Sequence, residues 1–194
     1  RNGVPPAVRL YGVGAKRPTL VLSDRTPGFD KGVETMVTFT GADQYLSGPV
    51  PVPVPSAMPG VPDVRDANSG TFYSALSNID FEIGKGNPAA AGVRFRVAQH
   101  GYLSHIDFHI GSGFAGIYQA GNENEDLRFY GGRYGIVSEE ASPAWQYTLI
   151  DSSFEGQREA AIREHEVDLT LVNVTISDTP IGIDIDKGYS DSLW

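Results

Sequence analysis

The chain has 194 residues, 40% hydrophobic and 20% charged, with a formal charge of −9 and no cysteine. That composition excludes wholesale disorder, a disulfide framework and a thiolate metal site. The acidic balance and the lack of a Lys/Arg cluster argue against a nucleic-acid partner, and no apolar run approaches the roughly 20 residues of a membrane-spanning helix.

In chain order, "VRLYGVG", "TLVL" (Thr19 to Leu22, after Pro18) and "TMVTFTG" (Thr35 to Gly41) read as short strands. "GVGAK", Gly12 to Lys16, lacks the Gly-Lys-Ser/Thr ending and the following helix of a phosphate loop. Ser47 to Gly70 follows and holds six of the thirteen prolines, a density that no central strand tolerates. It reads as a linker or as a long loop inserted into one coil. Strand signals on both sides favour the loop.

A repeat begins at Leu76. Five segments share a short alternating apolar run, a turn, and a small residue before Val or Ile. Their anchors are Phe81, Phe108, Phe129, Phe154 and Ile176, at steps of 27, 21, 25 and 22 residues. The second strand of each unit starts at Val93, Ile117, Ile136, Ile162 and Ile183. Coils of this length with two or three strands per turn are the signature of a parallel β-helix, in which inward side chains stack on the coils above and below. "EGQREAAIREHE", Glu155 to Glu166, is by composition the best helix in the chain. Alignment of "AAIREHE" with "AGVRFRV" and "IGIDIDK" nevertheless predicts a strand over 161–167.

Stacking turns aligned outward positions into columns about 4.8 Å apart. On the first repeat strand the columns read Asp80, Asp107, Arg128, Ser153, Thr175 and Glu82, His109, Tyr130, Glu155, Ser177. On the second they read Arg94, Tyr118, Val137, Arg163, Asp184 and Arg96, Ala120, Glu139, His165, Asp186. Arg163 and His165 next to Asp184 and Asp186 are the densest grouping. Carboxylates whose pKa values are pushed apart by a cation and an imidazole are what acid/base glycoside hydrolysis requires. Asp184 and Asp186 with Glu155 are therefore the candidate catalytic groups, weighed against outward charge that merely solvates a solenoid. Arg163, His165, Glu139, Tyr118 and Trp145 are candidate substrate contacts. Alternation points Glu164 inward, where a carboxylate must be paired or protonated; Arg158 is a candidate partner, and a shifted register or a salt-bridged corner is the alternative. His105, Asp107 and His109 alternate on one strand and have a metal-ligand spacing, but a hydrogen-bonded surface cluster is the plainer reading and no metal site is assigned.

The repeat, with "LYGVGAKRPTLVL" near the start and "LVNVTISDTPIGIDI" near the end, resembles the pectate-lyase-like superfamily of right-handed parallel β-helix proteins, closest to the family 55 glucan hydrolase branch. The polygalacturonase motifs NTD, DD, GHG and RIK are absent, as is the RxPxxR of pectate lyases, so no catalytic residue transfers by motif. The resemblance implies a carbohydrate-active protein, secreted or on the cell surface, with a groove along one parallel sheet.

Together these readings give an all-β right-handed parallel β-helix over 1–194 with a Pro-rich inserted loop at 47–70, expected to be part of a longer protein. The expected function is hydrolysis of a neutral or mildly charged polysaccharide without cofactor. The alternatives are a polysaccharide lyase acting by β-elimination on a uronate polymer, a class that often uses a Ca²⁺ ion, and a non-enzymatic glycan-binding adhesin.

Overall fold

The computed structural model describes residues 7–39, 72–138, 146–165 and 168–185. Every regular element among them is a β-strand, and every strand pair is parallel. The strands are β1 (Arg9–Tyr11), β2 (Thr19–Leu22), β3 (Glu34–Thr38), β4 (Ala75–Ser77), β5 (Asp80–Ile83), β6 (Ala90–Arg94), β7 (Tyr102–Gly111) and β8 (Ala115–Tyr118). They continue as β9 (Asn122–Gly131), β10 (Tyr134–Val137), β11 (Gln146–Ile150), β12 (Ser153–Glu155), β13 (Ala160–Glu164), β14 (Asp168–Val172), β15 (Thr175–Ser177) and β16 (Ile181–Ile185).

Each coil contributes one strand to each of three walls, which makes the molecule a parallel β-solenoid. The first wall runs β1-β4-β7-β9-β11-β14. The second holds β2 and β5, the C-terminal halves of β7 and β9, then β12 and β15. Because β7 and β9 run through the corner, the first two walls join as one ten-stranded sheet. The third is a separate six-stranded sheet, β3-β6-β8-β10-β13-β16. The predicted front strands thus form a coil of their own, pairing with β4, β5 and β6. The Pro-rich segment 47–70 lies outside the described residues.

The expected anchor column exists. Phe81, Phe108, Phe129 and Phe154 stack with ring centroids 5.1, 5.0 and 4.6 Å apart and planes within 15° of parallel, and Ile176 follows in register. All four rings are buried. Such contacts contribute about 0.5–1.5 kcal/mol per pair beyond the area each ring buries. Val93, Ile117, Ile136, Ile162 and Ile183 form the matching column on the third wall.

The first corner is made by one residue per coil in the left-handed region: Asn78, His105, Asp126, Asp151 and Asn173, with φ between 49° and 55°. Asn and Asp enter this region at low cost because their short polar side chains bond locally. Asn173 Nδ2 donates to Asp151 Oδ1 at 2.6 Å, tying two corners together.

The segment with the strongest helix composition is β13. Ala160, Ala161 and Ile162 are fully buried between β10 and β16, and tertiary stacking overrides local preference there. Glu164 does point inward and is 1% exposed. Arg158, its candidate partner, instead donates to the carbonyls of Gly111, Ser112 and Gly113 at 2.9–3.1 Å, two coils away.

Candidate functional site

The outer face of the second wall carries the densest set of described titratable side chains, because strand alternation puts every second residue there. Nearest the first corner, Arg17 donates to Asp80 (3.0 Å) and Asp107 (2.7 Å), and the Asp107 amide donates to Asp80 at 2.9 Å. Beside them, Asp126 accepts from His105 Nδ1 at 2.5 Å and from Arg128 at 2.6 Å. The His105 hydrogen bond, with the Arg128 charge behind it, holds the Asp126 carboxyl below its ordinary range. Arg128 also donates to the Asp151 carbonyl at 2.6 Å, so it too is committed within the face.

The next column reads Glu82, His109, Tyr130, Glu155, Ser177 in register, as the sequence alignment predicts. His109 lies flat on Tyr130, centroids 5.0 Å apart and planes 10° from parallel. These rings line a shallow trough whose sides come from Asp24, Lys85, Gly111 and Gly131. Glu82 and Glu155 flank the rings in the same column, both exposed, and neither has an ion-pair partner among the described residues. The column thus places a stacked pair of rings between two exposed carboxylates.

His105 departs from the expected pattern. Its φ of 54° places it at the corner, so it does not alternate regularly with Asp107 and His109, and it bonds Asp126. Among the described residues no three His, Asp or Glu side chains are grouped to hold a metal ion.

The other predicted group sits on the third wall. Arg163 of β13 is directly opposite Asp184 of β16, as the alignment requires. Its guanidinium, however, is directed at the Tyr134 hydroxyl at 3.4 Å and lies 6.0 Å from that ring. Tyr134 in turn donates to Glu159 at 2.6 Å, and Glu159 also accepts from Arg133 at 2.7 Å. That Arg133 hydrogen bond holds the Glu159 carboxyl low, while burial pushes the Tyr134 hydroxyl up. His165 is half-buried just beyond β13. Asp186, Glu139 and Trp145 lie outside the described residues.

Two placements change the expected site. Glu155 projects from the second wall and Asp184 belongs to the third, so the structure does not bring them together. Tyr118, expected on the surface, is 1% exposed and packs edge-on to Phe114 at 6.3 Å. It belongs to a second apolar cluster with Val33, Ala115, Tyr134 and Val137. Arg94, Tyr118 and Val137 of that column are therefore covered although they point away from the main core, an arrangement that alternation alone does not reveal.

Sequence reasoning placed the corner Asp126 and Asp151 in no column. A signal for them is present: Asn, His or Asp stands three residues before every anchor, at 78, 105, 126, 151 and 173. No helix among the described residues is long and apolar enough to cross a membrane. No protein-family model, curated protein or solved structure matches the chain.

Proposed function

We propose that the chain is a glycan-recognising β-solenoid that binds a polysaccharide along the outer face of its second wall, outside the cell. The observation that carries this reading is the outward His109–Tyr130 stack with exposed carboxylates on either side. The two outer faces of the pair, toward Glu82 and Glu155, are left for sugar C–H groups, and sugar hydroxyls can donate to the carboxylates beside them. The parallel solenoid accords in architecture with the resemblance to the pectate-lyase-like superfamily, whose members present such a face to carbohydrate chains.

Binding is favoured over hydrolysis by the spacing of the acids. Glu82 and Glu155 are three coils apart in one column, roughly 14 Å at the usual strand spacing. That exceeds the roughly 6.5–9.5 Å of an inverting pair. Asp80 and Asp107 are neighbours, but Arg17 bridges them. Asp126 and Glu159 are both held low by hydrogen bonds, the opposite of what a general acid needs.

The test is a glycan-array screen followed by affinity titration of the parent and of His109→Ala/Tyr130→Ala. Binding weakened at least about tenfold in the variant is expected from loss of ring stacking. Unaltered affinity would remove the second wall as the contact. The same samples are read for reducing ends and for the ultraviolet absorbance of unsaturated uronates. Product formation by the parent would return the protein to the hydrolase or lyase class.

A further inference from the structure

The corner between the third and first walls carries a depression that the second-wall reading does not use. Gln99, His100 and Gly101 form its floor on one coil, Asn122 on the next, and Gln146 and Thr148 on the one after. Three of these side chains are carboxamides, each carrying both a donor and an acceptor. Asn122 Nδ2 has one long contact, 3.4 Å to the Val97 carbonyl. Gln99 Oε1 is buried without a donor among the described residues, an unmet acceptor of the sort that folded proteins rarely leave.

An aromatic face lies beside the amides. Tyr73 stacks on His100 with centroids 5.0 Å apart and planes 12° from parallel, and Tyr73 is half exposed. The two residues are held by left-handed backbone, φ 60° and 64°, and by the bond from the Tyr73 amide to the Gln99 carbonyl at 3.2 Å. Non-glycine residues adopt that conformation only where their surroundings impose it. Gly101 is fixed next to them, since a Cβ there would fall 2.4 Å from Val97 Cγ2.

We infer that this depression is a binding site for a single uncharged pyranose unit. Paired vicinal hydroxyls each give and take a proton, which matches an amide's adjacent acceptor and donor. The ring's C–H face matches the His100 plane, whose other side Tyr73 backs. A phosphate or sulfate group is disfavoured because the depression holds no Lys or Arg among its described lining and carries the Glu123 carboxylate. The site is on another face from His109 and Tyr130, so it stands or falls independently of the second-wall reading.

The test is nuclear magnetic resonance of the Asn and Gln side-chain amides of the full chain during titration with methyl glucopyranoside, methyl galactopyranoside and N-acetylglucosamine. At least one sugar is expected to give saturable shifts at Gln99, Asn122 and Gln146, with a Kd on the order of 1 mM. Gln146→Ala/His100→Asn, in which Asn tolerates the left-handed backbone, is expected to weaken that sugar about tenfold. His109→Ala/Tyr130→Ala is expected to leave it unchanged. Absence of shifts with all three sugars overturns the proposal, as do shifts that survive in Gln146→Ala/His100→Asn. Equal shifts with glycerol, which has vicinal hydroxyls and no ring face, overturn it as well.

Discussion

Gly135 and Phe154 fit each other across adjacent coils: a Cβ on Gly135 would lie 2.4 Å from Cδ1 of the Phe154 ring. The same relation holds between Gly116 and Phe129 at 2.7 Å and between Gly92 and Phe108 at 3.0 Å. Each glycine leaves room for the anchor ring of the next coil. Where the next anchor is Ile176, the corresponding residue is Ala161. Gly135→Ala is therefore expected to destabilise the fold by about 1–3 kcal/mol through overpacking. In Gly135→Ala/Phe154→Ile, which copies the Ala161–Ile176 combination, the two costs should not add. A double-mutant cycle by chemical denaturation checks this, and strict additivity would contradict it.

Asn124 interrupts an otherwise aliphatic inner column of Leu76, Leu103, Leu149 and Leu171. Repeat logic alone suggests that Leu there would improve packing. Asn124 Oδ1, however, accepts from the Leu103 amide at 2.7 Å, and its side chain adjoins the wholly buried Tyr147, whose hydroxyl burial pushes up. Asn124→Leu should lower stability by about 1–3 kcal/mol, because it strands a buried amide donor. A rise in the melting temperature would refute this.

Acid should loosen the first corner. The Asp126 carboxyl titrates lower in the folded chain than in the unfolded one, chiefly through His105, and Glu159 does so chiefly through Arg133. The stability they contribute is fully present above the ordinary carboxylate range, near pH 4, and is lost as the pH falls through their folded-state values. Both groups are more than a third exposed, so the effect is small and salt-sensitive. Unfolding followed from pH 5 to pH 2 should show a shallower decline for Asp126→Asn than for the parent. Identical slopes would show that Asp126 does not contribute.

The third-wall pair gives a clean contrast with the second-wall trough. Asp184→Asn is expected to leave polysaccharide affinity within about twofold of the parent, since Asp184 makes no contact with the His109–Tyr130 face. Glu155→Gln, which keeps shape and removes charge beside that face, should weaken binding about three- to tenfold. Titration of both variants against the best array ligand decides between the two walls. The reverse ranking would move the contact to Arg163 and Asp184.

Columns were legible in the sequence because stacking repeats them: Phe81 to Ile176 and Arg94 to Asp184 both stand in the register that alignment gives. Strand over helix at Ala160–Glu164 was legible for the same reason. What alignment does not carry is direction around the coil. It lists Glu155 and Asp184 as outward without showing that a turn at Gly156 separates their walls. Nor does alternation separate a side chain facing solvent from one like Tyr118, outward from its strand yet covered. At the first coil Met36 stands opposite Gly92, so the glycine rule also lapses where the repeat begins.

The stacked phenylalanines have a further consequence for assembly. One ring is much like another, so a chain that skipped a coil would still place Phe on Phe and aliphatic on aliphatic. Discrimination must come from contacts that exist at a single level. Asn87 provides one, accepting from the Thr26 amide and donating to the Ser23 carbonyl. Gln157 provides another, capping the Phe129 and Gly131 carbonyls, and Arg158 a third. These polar turns serve as address labels on interchangeable rungs, and a chain stripped of them would keep its adhesion while losing its order.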